Sequence, residues 1–187
     1  EVELPFLQTV LTDFKIVPIL LGITNDQILT ALAEKIVQNL DDQTLLVVST
    51  DLSHYPNYEI AQQVDQETIK AILSGDPVKF DQTITQQMAV GYPNLDTCVC
   101  GEKAVKVGLL VSQKLSSGDW QLIKYLNSGD TAGDKGRVVG YAAITFSTKK
   151  QESKSQKENF SREQKQLLLK IARETLASYL KEKKIPS

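Results

Sequence analysis

The chain has 187 residues, of which 41% are hydrophobic and 24% are charged, and its formal net charge is −2. This composition is typical of a globular protein and excludes extensive disorder. No apolar run approaches the roughly 20 residues that cross a bilayer, and Glu1-Val2-Glu3 lacks the basic region of a signal peptide, so we expect a cytoplasmic protein that binds no membrane.

Charge is distributed unevenly along the chain. Residues 1–147 carry 10 Lys/Arg and 18 Asp/Glu, whereas residues 148–187 carry 11 and 5. This change of sign predicts a boundary near Phe146. The basic charges fall on a helical pattern with few aromatic residues, so we expect a solvated helix face and no nucleic-acid partner. The chain begins in mid-pattern without Met, which favours a fragment of a longer protein.

Strand and helix patterns alternate through the first part of the chain. After a helical spacing at residues 1–14, the apolar run at 15–22 predicts a buried strand. Asn25 is placed to cap an amphipathic helix, and residues 45–48 predict a second buried strand. A strand, helix, strand unit predicts a right-handed crossover, and hence an α/β fold with a mainly parallel sheet and flanking helices.

Three further helices and a strand pair are predicted next. Residues 57–74 form the first of these helices, Asp76 caps a shorter one, and the third begins at about Thr97. Residues 120–127 and 137–147 have strand patterns joined by a Gly/Asp-rich loop. They predict an antiparallel pair beside the parallel sheet.

The end of the chain predicts a linker followed by a helix. Residues 148–158 contain no apolar side chain, so they cannot pack a core. Ser161 and Gln164 have the spacing of a capping box, and an amphipathic pattern follows them. We therefore predict one α/β domain over residues 1–147, a linker at 148–158, and the first helix of another domain at 159–187.

The candidate chemistry follows the second predicted strand. Residues 49–54 read Ser-Thr-Asp-Leu-Ser-His, and His54 is the only histidine in the chain. Ligands and catalytic groups collect at strand ends on open α/β sheets, so His54 is a candidate general base that Asp51 orients. The alternative is a turn, a helix cap and a structural histidine. A Ser-His-Asp triad is disfavoured because the G-x-S-x-G motif is missing.

The two cysteines, Cys98 and Cys100, are separated by one residue, which is too close for an unstrained disulfide. They also lack the second pair that a zinc ribbon requires. At a helix N-terminus a thiol can serve as a metal ligand or a nucleophile. Spacing alone nevertheless favours two small buried residues without a chemical role.

Several blocks, taken together and in this order, resemble the Memo family. The blocks are Glu1-Val2-Glu3-Leu4-Pro5-Phe6, Lys15-Ile16-Val17-Pro18-Ile19-Leu20-Leu21-Gly22, Val48-Ser49-Thr50-Asp51-Leu52-Ser53-His54-Tyr55, Cys100-Gly101 and Val139-Gly140-Tyr141-Ala142-Ala143. The resemblance covers about residues 1–147 and corresponds to the C-terminal half of the family's domain. Residues 159–180 look like the opening helix of an AMMECR-type domain.

The Memo fold is similar to that of class III extradiol dioxygenases, which hold non-haem iron with two histidines and a carboxylate. The resemblance implies that His54 is the base-like histidine and a metal ligand, that Asp51 is the acidic residue beside it, and that Cys100 is a metal ligand. A thiolate ligand favours iron or copper over magnesium or calcium. The family's other histidine ligands would lie upstream of Glu1, so the ligand set here is incomplete.

The function implied is a metal-dependent redox or dioxygenase-like enzyme of the AmmeMemoRadiSam system. AMMECR-type and radical-SAM proteins are the partners that this system implies. The alternative is a non-enzymatic module that binds a peptide or protein on the same fold. Sheet edges left uncovered by a missing half would favour self-association.

Overall fold

The structure is a computed structural model that describes residues 2–115, 118–131 and 133–147, together with Gln166 and Lys170. The described residues fall into two compact units. Residues 2–19, Gln166 and Lys170 belong to the first, and residues 20–147 belong to the second. The predicted linker and most of the predicted final helix therefore lie outside the described residues, although Gln166 and Lys170 are helical.

The described part of the chain has a mixed α/β fold, as predicted. The helices are α1 (Leu4–Val10), α2 (Asp26–Asn39), α3 (Tyr58–Leu73), α4 (Pro77–Val90) and α5 (Glu102–Lys114), and the strands are β1 (Asp119–Asn127) and β2 (Gly140–Ser147). Helix α1 belongs to the first unit and the other elements to the second. Among the described residues, no helix combines the length and the apolar character needed to span a bilayer.

Helix boundaries follow from capping residues. The side chain of Asn25 accepts a hydrogen bond from the Ile28 amide at the start of α2. Asp76 accepts hydrogen bonds from the amides of Val78 and Lys79 at the start of α4. These bonds satisfy amide groups that a helix N-terminus leaves without partners, so both predicted caps are confirmed.

The predicted antiparallel pair is also confirmed. Strands β1 and β2 pair from Asp119 opposite Ser147 to Asn127 opposite Gly140, with a shift of register between Leu122 and Lys124. A single 3₁₀ turn, Ser128–Asp130, follows β1, and a capping box between Asn127 and Asp130 holds it. This turn starts the loop that returns the chain to the site described below.

The apolar faces of the helices form two clusters in the second unit. The larger cluster joins α3, α4 and α5 and contains Val64, Ala71, Ile72, Phe80, Ile84, Cys98, Val99, Val105 and Leu109. The smaller cluster joins α2 and α5 and contains Leu29, Ala33, Val107 and Val111. Helix α5 therefore contributes to both clusters, which fixes the position of its N-terminus beside the candidate site.

Neither of the two predicted buried strands is present in the structure. Residues 14–22 and 44–50 belong to no helix or strand. The side chains of residues 45–48 are 37–67% exposed, and Leu20 is 99% exposed. An apolar run predicts burial, but a strand also needs a neighbouring segment with which to pair. No backbone hydrogen bond joins residues 45–48 to another described segment. The only sheet among the described residues is the antiparallel pair, so the parallel sheet is not observed.

Candidate metal centre

Three side chains singled out from the sequence come together. Ligand atoms of Asp51, His54 and Cys100 all lie within 4.8 Å of one another. Asp51 and His54 are half-buried, whereas Cys100 is exposed. The cluster combines a carboxylate oxygen, an imidazole nitrogen and a sulfur, which are donors suited to a transition metal.

Backbone pairing places Cys100 beside Asp51. The Cys100 amide donates to the Asp51 carbonyl at 3.2 Å, and the Asp51 amide donates to Cys100 Sγ at 3.2 Å. The next residue, Gly101, donates its amide to Thr50 Oγ1 at 2.7 Å. A Cβ at position 101 would lie 2.7 Å from Thr50 Oγ1, so only glycine permits this close approach.

His54 is held by pairing on both sides. It forms antiparallel bridges with Thr97 and with Val139. Its amide donates to the Thr97 carbonyl at 3.0 Å, and its carbonyl accepts from the Asp96 amide at 3.1 Å. The following residue, Tyr55, has a φ of 71°, a left-handed conformation that is strained for a side chain of this size. Such strain persists where surrounding contacts fix the backbone, often at functional sites.

The His54 imidazole leaves one buried nitrogen without a hydrogen bond. Nε2 lies 3.5 Å from Asp51 Oδ2 and finds no hydrogen-bond partner among the described residues. A metal about 2.1 Å from each of two ligand atoms keeps those atoms roughly 3 to 3.5 Å apart. The separation of Nε2 and Oδ2 therefore fits two ligands of one ion, and the donor chemistry of the cluster fits as well.

A buried carboxyl group lies behind the histidine and was missed by sequence reasoning. Asp65 of α3 is fully buried; it accepts hydrogen bonds from the Ser53 amide at 2.8 Å and from the Tyr125 hydroxyl at 2.7 Å. Burial raises the pKa of Asp65 above its usual value, although these hydrogen bonds oppose the shift. The available signal was an acidic residue on the buried face of α3, between the core residues Val64 and Thr68.

The two cysteines differ in environment. Cys98 is fully buried in the larger cluster, and burial raises the pKa of its thiol to about 11. The expectation that both cysteines are buried is therefore correct for Cys98 and wrong for Cys100. The difference arises because α5 begins at Glu102, five residues after the predicted start at Thr97, so Cys100 lies in the paired segment beside Asp51.

Comparison with known sequences identifies relatives. Residues 1–145 match the sequence profile of a family described as Memo-like protein. Proteins described as MEMO1 family proteins are 34% identical in Methanosarcina mazei and 36% identical in Archaeoglobus fulgidus. The two matches cover 77% and 78% of this chain but 52% and 53% of those proteins. The chain thus spans about half the length of the curated relatives it matches.

Proposed function

Because this chain belongs to the Memo family, we propose that it contributes part of the site of a metal-dependent redox enzyme similar to the dioxygenases. The observation that carries the proposal is the buried Nε2 of His54, which accepts or donates no hydrogen bond among the described residues and lies 3.5 Å from a carboxylate oxygen of Asp51. A buried polar atom without a partner needs an explanation, and an ion between these two atoms provides one.

Asp51, His54 and Cys100 would hold the ion. Their mixed oxygen, nitrogen and sulfur donors favour iron or copper over magnesium or calcium, which prefer oxygen ligands alone. When bound, iron or copper would supply one-electron and oxygen chemistry. The chain's own residues would position a substrate against the exposed side of Cys100, and Asp51 would fix the orientation of the His54 ring beside it.

The complete domain would supply what this chain lacks. Three donors leave coordination positions open, and we expect histidines upstream of Glu1 to fill some of them. We also expect the upstream half to pair with residues 15–22 and 45–48, forming the mainly parallel sheet of a dioxygenase-like fold. The apolar and exposed side chains of residues 45–48 support this expectation. Association with AMMECR-type and radical-SAM proteins stays a prediction.

The test is metal content after anaerobic reconstitution with iron(II) or copper(I), measured by mass spectrometry. It compares this chain, a form extended upstream to the length of the relatives, and the Cys100→Ala and Cys98→Ala variants of each. We expect near-stoichiometric metal in the extended form and weaker binding in this chain. Cys100→Ala should abolish binding, whereas Cys98→Ala changes a buried thiol outside the cluster and should preserve it.

A redox role also requires that the bound metal change oxidation state reversibly, which electron paramagnetic resonance detects for copper(II) and iron(III). Equal metal content in the Cys100→Ala variant would overturn the proposed ligand set. Absence of metal from every form would favour the alternative, a module that binds a peptide or protein without a metal.

A further inference from the structure

The spacing of Asp51 and His54 conflicts with a regular strand. Successive side chains of a strand point to opposite faces, so residues three apart lie on opposite sides. Yet ligand atoms of Asp51 and His54 lie in one cluster. The backbone between them must therefore contain an irregularity that moves one residue out of phase.

That irregularity is visible in the pairing with Gly140. The Leu52 amide donates to the Gly140 carbonyl, and the Gly140 amide donates to the Ser53 carbonyl, both at 2.9 Å. Two successive residues thus oppose one residue of the neighbouring segment, which is the pattern of a β-bulge. A bulge changes the direction of the side chains that follow it, and here the next residue is His54.

Because of the bulge, the Ser53 amide has no partner in the backbone pairing, and the Asp65 side chain accepts its hydrogen bond instead. The amide donates to Asp65 Oδ1 at 2.8 Å, while the Tyr125 hydroxyl of β1 donates to Oδ2 at 2.7 Å. Position 140 must be glycine for this carboxyl to fit, because a Cβ there would overlap Asp65 Oδ2. Helix α3, strand β1 and the start of β2 thus converge on one buried carboxyl group.

We infer that Asp65 is a positioning residue for the metal site, and this inference rests on the proposed function. By accepting a hydrogen bond from the Ser53 amide, Asp65 stabilises the bulge. The bulge in turn brings His54 to the same side as Asp51 and Cys100. Without this acceptor, the Ser53 amide would donate to the Gly140 carbonyl in place of the Leu52 amide. The pairing would then be regular, and a shift of one residue turns side chains to the opposite face.

The test compares substitutions at Asp65 in the full chain, with cobalt(II) as the metal probe. Asp65→Leu keeps the side-chain size but removes the acceptor, whereas Asp65→Asn keeps an oxygen for the Ser53 amide. Thr68→Val is the matched control, because Thr68 is equally buried one turn along α3 and its hydroxyl bonds with Val64 and Gln87 but not with Ser53. Circular dichroism verifies folding.

Two signals report the position of the ligands. Cobalt(II) bound to a thiolate gives a charge-transfer absorption that follows the affinity and geometry at Cys100. Since His54 is the only histidine, its imidazole gives a single set of NMR resonances even without metal.

We expect Asp65→Leu to weaken cobalt(II) binding about 10- to 100-fold, as loss of a residue supporting metal ligands typically does, and to shift the His54 resonances. Asp65→Asn and Thr68→Val should remain within about threefold of the unmodified chain.

Each result decides the matter. A folded Asp65→Leu variant with unchanged His54 resonances overturns the inference, and so does an equal loss of affinity in Thr68→Val. If Asp65→Leu does not fold, Asp65→Ala, which also lacks an acceptor, replaces it with the same criteria. If the unmodified chain binds none of cobalt(II), iron(II) and copper(I), the metal content of the extended form decides the proposed function. The His54 resonances of this chain then decide alone whether Asp65 positions the ring.

Discussion

At the scale of single residues, the two thiols should differ in reactivity although one residue separates them. Thiolates are the reactive form of cysteine, and burial raises the pKa of Cys98 to about 11, whereas Cys100 is exposed. We predict that iodoacetamide at pH 7.5 alkylates Cys100 long before Cys98, as measured by peptide mass spectrometry over time. Equal rates would show that the core around Cys98 opens readily.

The raised pKa of Asp65 predicts a pH dependence of stability. A carboxyl group whose pKa is higher in the folded than in the unfolded state stabilises the fold at pH values below its unfolded pKa of about 4. That contribution is lost as the pH rises through the folded pKa, because the charged form is then buried.

Substitution by asparagine should remove this dependence. We predict that the unmodified chain loses stability relative to the Asp65→Asn variant as the pH rises from about 4 to about 7. The quantity compared is the difference between their free energies of unfolding at each pH. Urea denaturation at several pH values measures it, and Asp76→Asn, at a half-buried helix cap, is a comparison at a different site. A difference that does not vary with pH would contradict the prediction.

The chemically distinctive residues could be found from sequence, but their supporting residues could not. His54 and Asp51 were identifiable because a polar cluster with the only histidine follows an apolar run. Asp65 lies inside an amphipathic helix pattern, where an acidic residue is usually solvated. Only the fold shows that its carboxyl group reaches the bulge at Ser53.

At the scale of elements, one lysine connects three helices. Lys106 of α5 forms ion pairs with Asp26, the first residue of α2, and with Asp81 of α4. Burial alone would lower the pKa of Lys106, but its hydrogen bonds to the two carboxylates outweigh this effect and raise it. The lysine therefore remains charged at neutral pH and holds both neighbouring helices against α5.

Removing this charge should loosen the packing of α2 and α4 on α5. We predict that Lys106→Met lowers the free energy of unfolding by about 1 to 2 kcal/mol, since the hydrogen bonds are charge-assisted but the partner carboxylates are partly exposed. Lys103→Met, which removes a half-buried ion pair with the adjacent Glu102, should change it by less than about 0.5 kcal/mol. Denaturant unfolding of both variants measures the effect; equal losses would assign no special role to Lys106.

Helices were predicted more accurately than strands because their signals are local. Caps such as Asn25 and Asp76, and apolar positions spaced by helical turns, lie within the segment they define. A strand needs a partner from elsewhere in the chain. The antiparallel pair was predicted because both of its strands are close in sequence, whereas residues 45–48 have no neighbouring strand among the described residues.

At the scale of the whole molecule, the exposed apolar segment at residues 45–48 should be dynamic. Its amides have no backbone hydrogen-bond partner in the described part of the chain, whereas the amides of Leu52 and His54 donate at 2.9 and 3.0 Å. We predict fast hydrogen exchange at residues 45–48 and protection at Leu52 and His54. NMR or mass spectrometry measures both at low protein concentration; protection that grows with concentration would instead show self-association through this segment.

The close contact between positions 65 and 140 also constrains the order in which the sequence can change. A side chain at Gly140 overlaps the Asp65 carboxyl, so any larger residue there is excluded while Asp65 is present. Loss of the carboxyl opens space at position 140, and a residue gained there then prevents the aspartate from returning. Changes at these two sites must therefore occur in a fixed order, with the carboxyl lost before the glycine is replaced, and a lineage that takes this step must find another acceptor for the Ser53 amide.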